Sequence, residues 1–339
     1  MRRIISVIIF IIYITITTLA SCSSAEIKNK ITVVVSIPFE KYILKQVLGN
    51  LAEVKTLISG EYEPHLQTLT QEMISSVLNS DIYVPVYHFE FEYRLIRLCT
   101  QYNIPFVTID MHRLKLLRYP HIGTLNTHGW WILPENAITL ANYTIDTLCR
   151  QFPELSSYLT RRLIMFERDV KRVLNVLKSV SVEISLYRKR NHVLIVCAPP
   201  AQYLLYSINN TCDIILSERV QLPSLIISLE KHKGPIVALL ANFQRGSELS
   251  RMLKELIKRK GGTILYIPFI GLKNLNITYT EFLLMYTYEI LGAVKSASLR
   301  SELKAKHTST NELLLYTCIL LGTLLLISVI INLSLLRRV

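Results

Sequence analysis

The sequence predicts an α/β protein built as two parallel-sheet lobes joined by one long, rigid helix. Three observations predict it. Short β-branched runs alternate with helical periodicity from Ile31 onward. The same alternation restarts at His192. Between the two series, Phe152 to Arg188 carries a single uninterrupted helical pattern. A strand, a helix and a second strand in succession favour a parallel sheet with helices on its faces.

Ile31 to Ile37 is a buried strand by its length and β-branched content, and Pro38 ends it. Phe39 to Leu48 has helical spacing and stops at Gly49-Asn50. Ala52 to Ile58 is the next strand. The turn-rich loop Ser59 to His65 leaves its C-terminal end, the edge where open α/β sheets place ligands. A helix over Thr70 to Asn79 and a strand over Ile82 to Val86 follow. His88, Glu90 and Glu92 then fall in a polar-aromatic loop. Leu95 to Tyr102 reads as a helix and Pro105 to Ile109 as a strand. Asp110 to His121 is basic and reads as solvent-facing loop, His121 included. Asn136 to Leu148 is a helix. Pro134 suits its first turn because a missing N–H costs nothing there. Glu135 adds negative charge at the positive end of the helix dipole.

In the long central pattern, apolar residues recur at Leu159, Leu163, Phe166, Val170, Val173, Leu174 and Leu177, near i, i+3, i+4 and i+7. A helix of roughly 30 residues spans about 45 Å, too long for one lobe, and reads as a strut. Beyond it come strand Val193 to Cys197, helix Gln202 to Ile208 and strand Asp213 to Leu216. A loop over Ser217 to Pro223 leads to helix Ser224 to His232. Strand Ile236 to Leu240, helix Gly246 to Arg259, strand Thr263 to Ile267 and a closing helix Thr278 to Lys295 complete the series. The chain therefore divides into lobes 31–150 and 192–295 with the linking helix 152–190 between them. A polar tether, 296–311, follows.

The ends read differently. Behind Met1-Arg2-Arg3, an apolar run ends in Leu19-Ala20-Ser21-Cys22, so 1–22 is a secretory signal segment. Leu-Ala-Ser-Cys also resembles a bacterial lipobox with Cys22 as the lipidated residue. Leu313 to Leu336 is apolar, free of charge and followed by Arg337-Arg338, the length and flank of a transmembrane anchor over 313–336. A cleaved signal plus this anchor would hold the body, Ser23 to Thr310, outside the cell membrane. An uncleaved N-terminal span is the alternative. The formal net charge is +13. The basic residues are dispersed, with no aromatic-basic RNA motif and no zinc-finger spacing. They suit a surface facing an anionic membrane better than a nucleic-acid partner. Six cysteines include no Cys-x-x-Cys. Outside the cell Cys197 with Cys212 is the best-placed disulfide pair, with two buried free thiols an equal alternative.

Both tryptophans lie in Asn126-Thr127-His128-Gly129-Trp130-Trp131-Ile132-Leu133-Pro134-Glu135-Asn136-Ala137, which presents His128 on a stiff loop ahead of a helix. The run from His128 to Ala137 resembles a hallmark stretch of the zinc/manganese ABC-transporter solute-binding proteins, where a Pro-His-x-Trp-Leu-Asp-Pro-like run supplies a metal-binding histidine. Glu63-Pro64-His65 is similar to that family's earlier histidine loop. Val33 to Pro38, Leu78-Asn79-Ser80-Asp81 and the long helix match in position and order, over roughly Ile31 to Leu291.

The resemblance implies two lobes on one long helix, with Zn2+ or Mn2+ held in the cleft as transported ligand and delivered to an ABC-transporter permease. It implies His65 and His128 as metal ligands. Glu63, two residues before His65, reads as a ligand or a supporting carboxylate, with a solvated loop charge the favoured alternative, and Trp130 and Trp131 read as packing of the cleft wall. The family usually adds a histidine or glutamate and an aspartate from the second lobe. Here those places read Cys197-Ala198-Pro199 and Tyr266-Ile267-Pro268-Phe269. Glu218 is the best local replacement as a ligand, whereas Cys197, a soft donor, reads as core. The family's histidine-rich loop is missing. A derived protein of this fold that has lost metal and binds another solute, or acts as a surface interaction protein, is the alternative function.

An enzyme is not expected. The sequence has no Gly-x-Ser-x-Gly, no His-Glu-x-x-His and no phosphate-binding glycine loop. Glu90 and Glu92, the one conceivable carboxylate pair, are expected to share a solvent face.

Overall fold

Val33 to Val35, fully buried, form the centre of the first sheet. In the computed structural model, residues 30–306 are described apart from 121 and 217–221, together with 325 and 329. The proposed signal segment and most of the proposed anchor lie outside the described residues, as do Glu218 and His121. Among the described residues no helix is long and apolar enough to cross a membrane.

Strand β1 (Ile31–Val35) is central. Strands β2 (Ala52–Thr56) and β3 (Ile82–Val84) pair with it in parallel, Val33 lying opposite Val54 on one side and Ile82 on the other. Ser36 and Ile37 leave the expected strand early to turn into helix α1 (Pro38–Leu48), whose Glu40 carboxylate accepts the Ile37 N–H at 3.1 Å. Helix α2 (Gln71–Leu78) starts on the Thr70 hydroxyl, which accepts from Met73 N. Helix α3 (Glu90–Gln101) begins well before the expected Leu95. The sequence reading of Glu92 as a solvent-facing partner of Glu90 is corrected here. Glu90 is exposed, but Glu92 is fully buried and closes the first turn of α3 by accepting the Phe89 N–H at 2.8 Å. The strand expected at Pro105 to Ile109 reduces to a single parallel bridge between Tyr83 and Phe106. Proline has no N–H to extend such a ladder. The stretch read as a basic loop contains a short antiparallel hairpin, β4 (Leu117–Arg118) with β5 (Leu125–Asn126). Two-residue strands carry no periodicity to read.

Helix α4 (Pro134–Gln151) leads to α5 (Ser156–Asn191), a 36-residue helix about 54 Å long at 1.5 Å per residue. Its buried stripe includes Leu159, Leu163, Phe166, Val170, Leu177 and Ile184. The second lobe comprises β6 (Leu194–Cys197), α6 (Pro199–Ser207), β7 (Ile214–Ile215), α7 (Leu222–Lys231), β8 (Ile236–Ala241), α8 (Glu248–Lys260) and β9 (Thr263–Ile267). Its sheet order is β7-β6-β8-β9, all parallel, with β8 buried along its whole length. Cys197 and Cys212 form a disulfide between β6 and the segment before β7.

The closing helix α9 (Tyr279–Lys306) runs beyond Lys295 into the segment read as a tether. Ala297 and Ser298 are buried, and Glu302 pairs with Arg190 at 3.1 Å. One hydrophobic core passes through both lobes, and a smaller one lies within the second. Across the junction, Phe39 N donates to Ile270 O at 2.9 Å and Leu272 N to the Tyr42 hydroxyl at 2.7 Å. Phe39 also meets Phe282 edge-on with ring centroids 4.8 Å apart. These contacts cement the lobes beside the cleft.

Candidate metal centre

Three loops of the first lobe bring three histidines together. His65 lies in a single 3-10 turn, Pro64–Leu66, beyond β2. His88 lies between β3 and α3, after Tyr87, whose backbone takes the left-handed region at φ 55°. His128 follows β5. The next residue, Gly129, has φ 91°, and a Cβ there would come within 2.7 Å of Pro200 Cβ, so only glycine fits.

Each histidine is held by its own backbone. His65 N donates to Glu63 Oε1 at 3.4 Å, His88 N to Glu92 Oε2 at 2.6 Å and His128 N to Asn126 Oδ1 at 3.0 Å. Asn126 is fully buried and also donates to Pro199 O and Gln202 Oε1, so it ties the His128 loop to α6 of the second lobe.

One ligand atom from each of His65, His88 and His128 lies within 4.8 Å of the other two. His88 Nε2 and His128 Nδ1 are 3.1 Å apart. Two nitrogens bound to one tetrahedral zinc are about 3.3 Å apart, given Zn–N bonds of 2.0–2.1 Å. His65 is exposed and the other two are half-buried. Burial, then the neighbouring His128 and His65, depress the His88 pKa to about 3. His88 is therefore neutral at physiological pH, the form that binds metal.

Behind His88, Glu92 Oε1 accepts from Val86 N at 2.7 Å and from the Ser36 hydroxyl. Tyr83 OH lies 2.8 Å from Ser36 Oγ. Burial raises the Glu92 pKa, against these hydrogen bonds. Glu40, also buried, is raised well above the usual carboxylate range by burial and then by the charge of Glu92, and its Oε1 has no partner. The negative charge belongs on Glu92, which collects four donors, rather than on Glu40.

The histidines open onto a cavity of about 310 Å³ between the lobes. Its far side is lined by Ala198, Pro199, Pro200, Leu216, Phe243 and Phe269, with Gln244 adding a polar side chain. Trp131 lines the cavity and its Nε1 donates to Phe269 O at 2.9 Å, joining the lobes. Trp130 is buried behind it, away from the lining. Glu63 lines the cavity but stands outside the histidine cluster. The Cys197 sulfur is spent in its disulfide. His88 was not singled out in the sequence. The available signal was its place at the C-terminal end of a strand, the same sheet edge that supplies His65.

The sequence model of the periplasmic zinc-uptake complex component A, ZnuA, matches residues 33–282. The chain belongs to the ZnuA family. It is a family of periplasmic, metal-binding solute-binding proteins, and the fold agrees. A crystal structure of ZnuA superposes with a TM-score of 0.62 at 16% identity, covering 78% of this chain and 100% of that one. The periplasmic zinc-binding protein TroA from Treponema pallidum gives 0.62 at 14% identity, over 78% and 99% of the two chains. FpvC from Pseudomonas aeruginosa, in complex with Mn2+, gives 0.56 at 17% identity, over 79% and 99%. No curated protein sequence matches the chain.

Proposed function

We propose that this protein is the extracytoplasmic solute-binding component of a metal ABC transporter. It captures a divalent metal ion in the interlobe cleft and delivers it to a permease. The observation that carries the reading is the convergence of His65, His88 and His128, one nitrogen from each within 4.8 Å of the others. Three imidazoles facing a cleft are a metal-ligating set. The ZnuA family membership and the metal-binding neighbours support the same cargo class. We assign no enzymatic role, in line with those solute-binding neighbours.

The signal segment 1–22 and the anchor 313–336 would tether the body on the outer face of the cell membrane, next to its permease. Protease accessibility of the body in intact cells tests that placement.

The test of the cargo is metal analysis and calorimetry on the purified chain. One equivalent of zinc or a related ion is expected in the wild type and none in the H65A/H88A/H128A triple variant. Full metal retention in a folded triple variant would reject these residues as the site. The non-metal reading is favoured by one observation, the carboxylate-free segment Tyr266 to Gly271 on the second lobe. Metal-free wild-type protein under saturating zinc would decide in its favour.

A further inference from the structure

The three clustered histidines belong to one lobe. His65, His88 and His128 all precede α5, and no carboxylate, thiol or further histidine joins them among the described residues. The opposing wall offers little to a metal ion. Phe269 has an apolar side chain, and its carbonyl already accepts from Trp131 Nε1. Ala198 and Pro199 carry no donor side chain, and Cys197 is oxidised. Gln244 Oε1 is engaged by Ala241 N at 2.8 Å. Yet about 310 Å³ of space separates this wall from the histidines, enough for several waters at roughly 30 Å³ each.

Resting on the metal-binding reading above, we infer that the ion is held by the first lobe alone, through His65, His88 and His128. Its remaining coordination position is left to a small exogenous donor, such as water or a monovalent anion. Zinc normally takes four ligands, and three protein donors leave one place open. The cavity puts that place opposite an apolar wall, where a small ligand can enter and leave without breaking a protein–metal bond.

A second consequence concerns the cargo. The donors are three nitrogens with no carboxylate among the described residues. Imidazole suits zinc, cobalt, nickel and copper, whereas manganese prefers oxygen donors. The site therefore selects the nitrogen-preferring ions over Mn2+. Capture also needs no closure of one lobe onto the other, consistent with the direct hydrogen bonds that already join Phe39 to Ile270 and Trp131 to Phe269.

Cobalt(II) is the probe, because its visible absorption reports coordination number and ligand exchange. The full-length chain, purified in detergent and loaded with one equivalent of Co2+, is titrated with sodium azide. A saturable change in the visible bands is expected, and Mn2+ at 100-fold excess is expected to leave the cobalt bound. An azide-insensitive spectrum that becomes azide-sensitive in E218A overturns the inference, because Glu218 then fills the position. Displacement of cobalt by equimolar Mn2+ overturns the selectivity. Cobalt bound without an azide response thus removes this inference and spares the metal-binding reading. A wild-type chain that takes up neither cobalt nor zinc removes both.

Discussion

The backbone amide of His88 donates to Glu92 Oε2 at 2.6 Å, so a buried carboxylate on α3 fixes the loop that carries one imidazole of the histidine cluster. The same carboxylate accepts from Phe89 N, Val86 N and the Ser36 hydroxyl. Glu92→Gln keeps the shape but turns an NH2 group toward backbone N–H donors. Metal affinity is expected to fall about 10-fold or more, as for other residues that orient a ligand. Stability should fall by about 1–3 kcal/mol. Calorimetry with zinc and urea denaturation read the two effects. Wild-type affinity in E92Q would show that the loop holds itself.

His88 gives a pH signature. In the unfolded chain it takes its ordinary value near 6.5, and in the fold it is depressed to about 3. Between those values the unfolded state binds the extra proton. The contribution is intact above pH 6.5 and is lost as the pH falls toward 3, by on the order of 5 kcal/mol at most. Metal-free wild type should therefore lose stability across that window more steeply than H88Q. Denaturant titrations at several pH values check this. Parallel curves for the two proteins would contradict it. At neutral pH, H88Q should bind zinc at least 100-fold more weakly than wild type, one of three protein ligands being gone.

Asn126 joins the His128 loop to the opposite lobe. Asn126→Ala removes the acceptor for His128 N and both donors to α6 from a fully buried position. A loss of about 2–3 kcal/mol is expected, because Pro199 O and Gln202 are left unsatisfied. Zinc affinity should weaken as well. A stability loss with unchanged affinity would confine Asn126 to the lobe contact.

Gly129→Ala tests the approach of the lobes. The added Cβ meets Pro200 at 2.7 Å and forces alanine into φ 91°. The cost should exceed about 1 kcal/mol, seen as a lower thermal midpoint, and Gly123→Ala is the comparison. Gly123 has a similar φ of 75° with nothing within 4 Å of an added Cβ, so the difference isolates the clash.

The disulfide offers a negative control on the site. Reducing Cys197–Cys212, or replacing both with serine, opens a link of sequence separation 15, worth about 3 kcal/mol in chain entropy. Stability should drop by that order while zinc stoichiometry stays at one. Loss of zinc with retained folding would bring a sulfur back as a donor.

The strands and long helices were legible because burial leaves a periodic trace. The stripe from Leu159 to Leu177 on α5 is an example. His65 and His128 were legible through flanking residues, Glu63-Pro64 on one side and Gly129-Trp130-Trp131 on the other. His88 was not. Its placement depends on α3 starting at Glu90, and that start depends on Glu92 being buried against backbone amides. A glutamate two residues from another reads as solvent charge until the backbone it caps is seen. The long run of α9 past Lys295 was hidden for a similar reason. Its polar residues find partners on a distant helix, as Glu302 does with Arg190.

The three amide contacts span very short stretches of chain. Glu63 serves His65 two residues on, Asn126 serves His128 two residues on, and Glu92 reaches back four residues to His88. Each imidazole thus arrives with its own built-in brace, written in the same few codons. The site can therefore tolerate drift elsewhere in the sheet and helices, and an insertion between the loops would disturb it less than a change inside any one of them.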